Sequence, residues 1–196
     1  MSPKTLSQDS NDLDRRDFLG AAAGAIAAMM LQPGWIASAR AQAPALKSDP
    51  RFAFIDRVSE LTIPTTDTRG ASAAGVPVFV LLALDQRVNG LDPGLLSTLQ
   101  LQFDESAGGN FLAKSDAEQL KILADLDAAA YAGPAEPGTP AFAWRRIKAA
   151  IIAGYYTSET GGSKELVYEP VPAVSKNIAL TPDYRARSND GFGGGL

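Results

Sequence analysis

The chain has 196 residues, 18 basic and 22 acidic side chains, a formal net charge of −4, and neither cysteine nor histidine. Without cysteine there is no disulfide, thiolate nucleophile, iron–sulfur ligand or covalent haem attachment; without histidine, the usual base of a serine triad and the commonest zinc, copper and haem ligand are missing. A hydrophobic fraction of 45% and a charged fraction of 20% describe an ordinary globule, and the longest basic pair in its body, Arg145-Arg146, is too little for nucleic acid. Oxygen-ligand cations such as calcium remain possible, but no D-x-D-x-D-G loop appears.

The N-terminus reads as an export signal. Arg15-Arg16-Asp17-Phe18-Leu19 matches the twin-arginine pattern R-R-x-F-L, with Arg15, Arg16, Phe18 and Leu19 as its defining residues. An Ala- and Gly-rich apolar run of 14 residues follows over 18–31, about 21 Å long as a helix. That falls short of a hydrocarbon core of ~30 Å. Gln32-Pro33-Gly34 ends the run, and Ala39-Arg40-Ala41 and Ala41-Gln42-Ala43 are overlapping cleavage candidates. Pro44 follows the second, so cleavage after Ala41 is preferred. The expected division is a twin-arginine signal over 1–43, a helical domain over 44–175 and an extended or flexible tail over 176–196. This route moves folded proteins through the twin-arginine translocase. A chain with no evident cofactor ligands of its own would use it to carry a folded, cofactor-loaded partner.

The body reads as all-α: one small domain of four to five helices with long loops. Ser48-Asp49-Pro50 is a cap followed by proline, opening a helix whose apolar face includes Phe52, Phe54, Ile55, Val58, Ser59 and Leu61, and which ends near Ile63. Pro77 starts the next, expected over 78–88 and stopped by Asn89-Gly90. Asp92-Pro93 repeats the cap-plus-proline signature ahead of Leu95, Leu96, Leu99 and Phe103, and Gly108-Gly109 ends that segment. Ser115 and Glu118 form a capping box before Leu120, Leu123 and Leu126, in a helix running to about Tyr131. Thr139-Pro140 opens the last helix, with Phe142, Ile147, Ile151 and Tyr155 expected inward. From Thr157 the chain is turn-rich and then extended, and the Gly-rich tail is either disordered or an arm lying on a partner.

Most tempting catalytic features have plainer readings. Asp125 and Asp127, two apart on a helix, do not face each other and suit a solvated face. Asp104-Glu105 suits a helix end. Gly161-Gly162-Ser163-Lys164 lacks the order of a phosphate loop, and Ser158 and Ser163 have no histidine to activate them. A carboxylate enzyme using Asp67, Glu159 or Glu169 is one competing reading. Another is a periplasmic module holding a small ligand against Trp144, Tyr155 and Tyr156, although such aromatics on one helix are more often core or interface.

Two peptides are more distinctive. Residues 61–71 read Leu-Thr-Ile-Pro-Thr-Thr-Asp-Thr-Arg-Gly-Ala, followed by Ala74-Gly75-Val76-Pro77. Residues 155–161 read Tyr-Tyr-Thr-Ser-Glu-Thr-Gly, followed by Tyr168-Glu169-Pro170-Val171-Pro172. Each begins where a helix ends and holds small polar groups around turns. With them, the chain resembles the gluconate 2-dehydrogenase subunit 3 family, the small subunits of membrane-associated bacterial sugar and polyol dehydrogenases. The family's L-T-I-P-x-T-D-x-x-G-A-x-x-A-G-V-P stretch is matched at 61–77 and its Y-x-T-S-E-x-G…Y-x-P-V-P stretch at 155–172. Arg69 stands where members often have proline.

The resemblance implies a complex of three parts. A large FAD-dependent flavoprotein of the glucose–methanol–choline type oxidises the sugar or polyol. A cytochrome c subunit passes electrons on, so that flavin and any iron–sulfur cluster or haem belong to partner chains. The small subunit has no catalytic residue, cofactor or metal, helps its partner fold, and supplies the export signal. It would then reside in the periplasm, at the inner membrane through the complex. Candidate partner contacts are Thr62, Pro64, Thr65, Asp67, Gly70 and Pro77 from the first peptide, and Tyr156, Thr157, Ser158, Glu159, Tyr168 and Pro170 from the second.

Overall fold

The structure is a computed structural model that describes residues 35–169, 180–182 and 184–188. Arg15, Arg16, Phe18, Leu19 and Pro170 lie outside the described residues. Six α-helices are present among those described: α1 Trp35–Lys47, α2 Phe52–Thr62, α3 Val76–Asp85, α4 Pro93–Ala107, α5 Asp116–Tyr131 and α6 Pro140–Tyr156. A π-helical turn, Thr160–Glu165, follows α6, and the two-residue strands β1 Val167–Tyr168 and β2 Arg187–Ser188 pair in parallel. The all-α expectation stands, with one helix more than the sequence suggested. The extra one is α1, whose half-buried Ala43 and buried Leu46 pack onto the body.

The core is built around α3. Its sequence is apolar all the way round, so no face can be left in water, and eight of its ten residues are buried. It packs against α1, α2, α4 and α6, while α4, α5 and α6 also pack on one another. Beside it, Phe54 of α2, Phe103 of α4 and Phe111 form an edge-to-face triad with centroids 5.5, 6.0 and 4.7 Å apart. Such geometry adds roughly 0.5–1.5 kcal/mol per pair beyond area burial. The buried Gln119 is satisfied on both sides. Its amide donates to the Phe111 carbonyl at 3.0 Å, and its oxygen accepts from Arg57 Nε at 2.5 Å.

Helix ends follow the capping chemistry read from the sequence. Asp92 accepts from Gly94 N–H at 2.8 Å, Ser115 and Glu118 complete the capping box, and Thr139 accepts from Phe142 N–H at 3.2 Å. Gly108 and Gly109 N–H groups close α4 by bonding the Glu105 and Asp104 carbonyls. Asp104 also accepts from Phe111 N–H at 2.8 Å, the helix-end role expected of it. Asp49 accepts from Arg51 N–H at 2.8 Å, but the cap expected of it falls short: α2 begins at Phe52 with Arg51 at its N-cap and no side-chain cap bond. Arg51 then joins Asp49 at 2.7 Å to Asp85 at 2.8 Å, tying the start of α2 to the end of α3.

Three expectations need correction. The helix placed over 78–88 ends at Asp85, because Arg87 (φ 53°) and Asn89 (φ 51°) are left-handed and cannot continue a right-handed ladder. Phe142 is only half-buried; Ala143 and Trp144 take the inward positions at that end of α6. Asp127 is not simply solvated, since it accepts from the indole N–H of buried Trp144 at 2.6 Å and from Lys148 Nζ at 2.5 Å. A buried indole needs an acceptor, and Asp127 supplies it. Asp125, two residues earlier, pairs separately with Lys121 at 2.5 Å.

Candidate functional site

The peptide between α2 and α3 is held by its own polar groups. Thr62 Oγ1 donates back to the Val58 carbonyl at 2.7 Å, ending α2. Glu60 then accepts from Thr65 N–H at 2.8 Å, and the Thr65 hydroxyl accepts from Gly70 N–H at 2.9 Å. Ala71 N–H closes the loop on the Ile63 carbonyl at 2.9 Å. Gly70 is where the two strands of the loop touch. A Cβ there would stand 2.5 Å from Thr65 N and 2.7 Å from both Glu60 Oε2 and the Ile63 oxygen, so only glycine fits. Pro77 is buried at the start of α3. Pro64, Thr65, Thr66, Asp67 and Arg69 remain exposed.

The second peptide leaves α6 in the same manner. Thr157 Oγ1 donates to the Ala153 carbonyl at 2.7 Å, and Ser158 Oγ donates to the Tyr155 carbonyl at 2.6 Å while accepting from Gly161 N–H at 3.1 Å. These bonds roll the chain into the π-helical turn. Gly161 lies so close to the Tyr155 carbonyl that a Cβ would clash with it. Beyond the turn, Val167 N–H bonds the Ala186 carbonyl at 2.8 Å, and Arg185 reaches the carbonyls of Glu165 and Leu166 at 3.2 and 3.4 Å. Arg187 ion-pairs with Glu169. The described part of the tail is thus an arm folded back on the second peptide.

The two peptides meet at Glu165, through contacts between residues 86 to 97 apart in sequence. One of its oxygens lies 2.5 Å from the Tyr155 hydroxyl and 3.5 Å from Thr68 Oγ1; the other accepts from the Tyr156 hydroxyl at 3.1 Å. The Tyr155 hydroxyl also lies 3.0 Å from the Arg69 carbonyl and 3.4 Å from Thr68 Oγ1. With one proton to give, it serves the charged, closer carboxylate. Burial first, then this bond to Glu165, pushes the Tyr155 phenol above its ordinary 10.0. Tyr156 is raised too, by burial and then by the Glu165 charge. The rings of Tyr155 and Tyr156 meet edge to face, 5.2 Å apart.

Tyr155 is 1% exposed, whereas Tyr156 is 38% and Tyr168 is 51% exposed. The second peptide therefore presents Tyr156, Thr157, Glu159, Val167 and Tyr168 outward, and Ser158 is spent on the turn. Gly70 and Pro77 shape the first peptide from inside. Glu165, absent from the residues singled out in the sequence, is the group that joins the two; its only sequence signal is an acid between the tyrosine pair and Val167-Tyr168.

The carboxylates suggested for catalysis are engaged otherwise. The Thr66 hydroxyl, 2.9 Å away, and then Asp67's own N–H hold the Asp67 carboxyl below its usual range. Glu159 faces Lys164 at 3.5 Å and Glu169 faces Arg187. Trp144 and Tyr155, each 1% exposed, have their rings in the core rather than open to a small ligand. Among the described residues no group of three or more acidic, histidine or cysteine side chains could hold a metal ion, and no helix is long and apolar enough to cross a membrane.

The fold and the surface define a small helical domain whose two motif loops are welded into one face at the C-terminal end of α6. A family model described as gluconate 2-dehydrogenase subunit 3 matches residues 49–172, more than half of the chain, and the chain belongs to that family. Neither a curated protein nor a solved structure gave a match. The family is one of small subunits of a multi-subunit dehydrogenase, which makes an accessory role the natural one for this domain.

Proposed function

We propose that the chain is the non-catalytic small subunit of a periplasmic, FAD-dependent sugar or polyol dehydrogenase of the glucose–methanol–choline type. In this reading it binds the large flavoprotein subunit, stabilises its fold, and takes it through the twin-arginine translocase under the signal of Arg15 and Arg16. A cytochrome c subunit completes the complex at the inner membrane, and FAD with any haem or iron–sulfur cluster sits on the partners. The observation that carries the reading is the union of the two family peptides at Glu165. A carboxylate, two phenols and a loop threonine join the two loops into one outward face.

The physical service is mass action. A subunit that binds only the native flavoprotein stabilises it by ~4 kcal/mol at a thousandfold excess over the dissociation constant. The exposed members of the two peptides, Pro64, Thr65, Asp67, Tyr156, Thr157, Glu159 and Tyr168, are the contacts we assign to that partner. Thr62 and Ser158 would act there by shaping the loops, as would Gly70 and Pro77 from inside; Pro170, outside the described residues, is assigned to the same partner from the sequence alone.

The test is co-expression of the large subunit with and without this chain, reading flavin content and dehydrogenase activity in the periplasm. Active flavoprotein should reach the periplasm only with the chain, and Lys substitution of Arg15 and Arg16 should leave both inside. A large subunit exported and active alone would refute the escort reading.

A further inference from the structure

We propose that the edge of β1, covered in this structure by the chain's own Arg185-Ala186-Arg187, is a seat for an extended basic segment of the large flavoprotein subunit, which replaces the arm; the proposal rests on the escort reading above. The arm shows what the seat recognises. Val167 N–H donates to the Ala186 carbonyl at 2.8 Å, in a parallel register that sets Val167 beside Arg187 and Tyr168 beside Ser188. The Arg185 guanidinium donates to the Glu165 and Leu166 carbonyls at 3.2 and 3.4 Å, and Arg187 ion-pairs with Glu169. Asp67, whose carboxyl is held down first by the Thr66 hydroxyl, also feels the Arg185 charge, so this one arginine serves both peptides. Residues two apart on a strand point to the same side, and the arm uses that period to bring both arginines to one edge.

The arm meets the polar groups of the seat and leaves its apolar ones in water. Val167 is 41% exposed and Tyr168 51%, although β2 lies beside them. Of the arm's own side chains, Arg185, Ala186 and Arg187 are exposed and Tyr184 is half-buried. Ion pairs at the surface contribute little, and a pair of two-residue strands has no stability of its own. The arm therefore opens more cheaply than the core does. A partner strand that brings the same carbonyl and the same two cations, and also covers Val167 and Tyr168, displaces it by strand addition. The carboxylates that the arginines meet, Asp67 and Glu169, set the sign of that strand: acids at the two positions would be repelled. Tyr168 and Asp67, assigned above to the flavoprotein, thus belong to one recognition edge.

The probe is a labelled peptide with the sequence of residues 181–188, titrated onto the full-length chain and onto a full-length variant carrying both Arg185→Ala and Arg187→Ala. Both arginines are exposed, so the body stays intact in the variant. With the arm loosened the peptide should bind about tenfold tighter or more, the gain expected if the arm covers its seat roughly nine-tenths of the time. Adding Glu169→Gln to the variant should weaken binding again, a peptide with glutamate for both arginines should not bind, and excess large subunit should displace the basic peptide. Equal affinities for wild type and variant, no effect of Glu169→Gln, equal binding of the glutamate peptide, or a complex holding peptide and large subunit together would each overturn the proposal. So would a wild-type chain that dimerises beside a double variant that does not, because the arm would then serve a second copy. Failure of the escort reading shows separately, as a large subunit exported and active alone while the peptide still prefers the loosened chain.

Discussion

The centre of the body and the junction of the two loops are held by different physics. Around α3 and the phenylalanine triad, contact is apolar and non-directional, and large side chains such as Phe103 and Phe111 are fully buried. At the C-terminal end of α6 the chain is held by a handful of hydroxyls, one carboxylate, and glycines pressed against backbone. The first arrangement sets how much free energy the fold has. The second sets the shape of one face, and can be changed without emptying the core.

The largest expected effect tests the core half of that contrast. Phe103→Ala removes the ring that touches both other members of the triad and should destabilise the domain by about 3–5 kcal/mol. Urea denaturation would read this as a lower midpoint with an unchanged slope. A loss below about 1 kcal/mol would mean that the triad is not a packed centre.

A middle-sized effect is expected at the junction. In Gly70→Ala the new methyl meets backbone on both sides, Thr65 N at 2.5 Å and the Ile63 oxygen at 2.7 Å, so the loop itself must move. Overpacking of this kind costs about 1–3 kcal/mol. Hydrogen exchange should rise across residues 63–71 while the Phe103 region stays protected, and binding to the large subunit should fall more than stability does. Uniform loss of protection through the body would erase the distinction between the two regions.

The same contrast explains what could be read beforehand. Local chemistry was legible: Ser115 with Glu118, Asp92 before Pro93 and Thr139 before Pro140 each cap the helix they announce. The long apolar run of α3 marked the core. What could not be read depended on partners distant in sequence or on backbone conformation. Asp127 is claimed by Trp144, seventeen residues on, and Glu165 by Thr68, ninety-seven residues back. The left-handed Arg87 that stops α3 carries no mark that separates it from an ordinary helical arginine. α1 was hidden because an Ala-rich segment beside a cleavage motif reads as a leader, whereas Ala43 and Leu46 pack onto the body. The two peptides were visible as peptides, but their meeting was not.

The smallest effect isolates the joint itself. Tyr155 and Tyr156 are both held above the ordinary phenol value of 10.0, chiefly by burial, and Glu165 adds to each, through its hydrogen bond to Tyr155 and its charge near Tyr156. A raised native value means that the fold favours the neutral phenol. The stability this contributes is complete below pH 10.0 and is lost as pH climbs through the raised values. Glu165→Gln keeps the shape but removes the charge, at a cost near neutrality of roughly 0.5–1.5 kcal/mol for one weakened hydrogen-bonded joint. Tyrosinate absorbance in the folded protein should show Tyr155 and Tyr156 titrating above pH 10.0, and in the variant their titration should move down without the whole delay disappearing, because burial remains. Superimposable titrations would mean that Glu165 does not hold the phenols. The junction would then have to be assigned to the Tyr155 hydroxyl on the Arg69 carbonyl and Thr68.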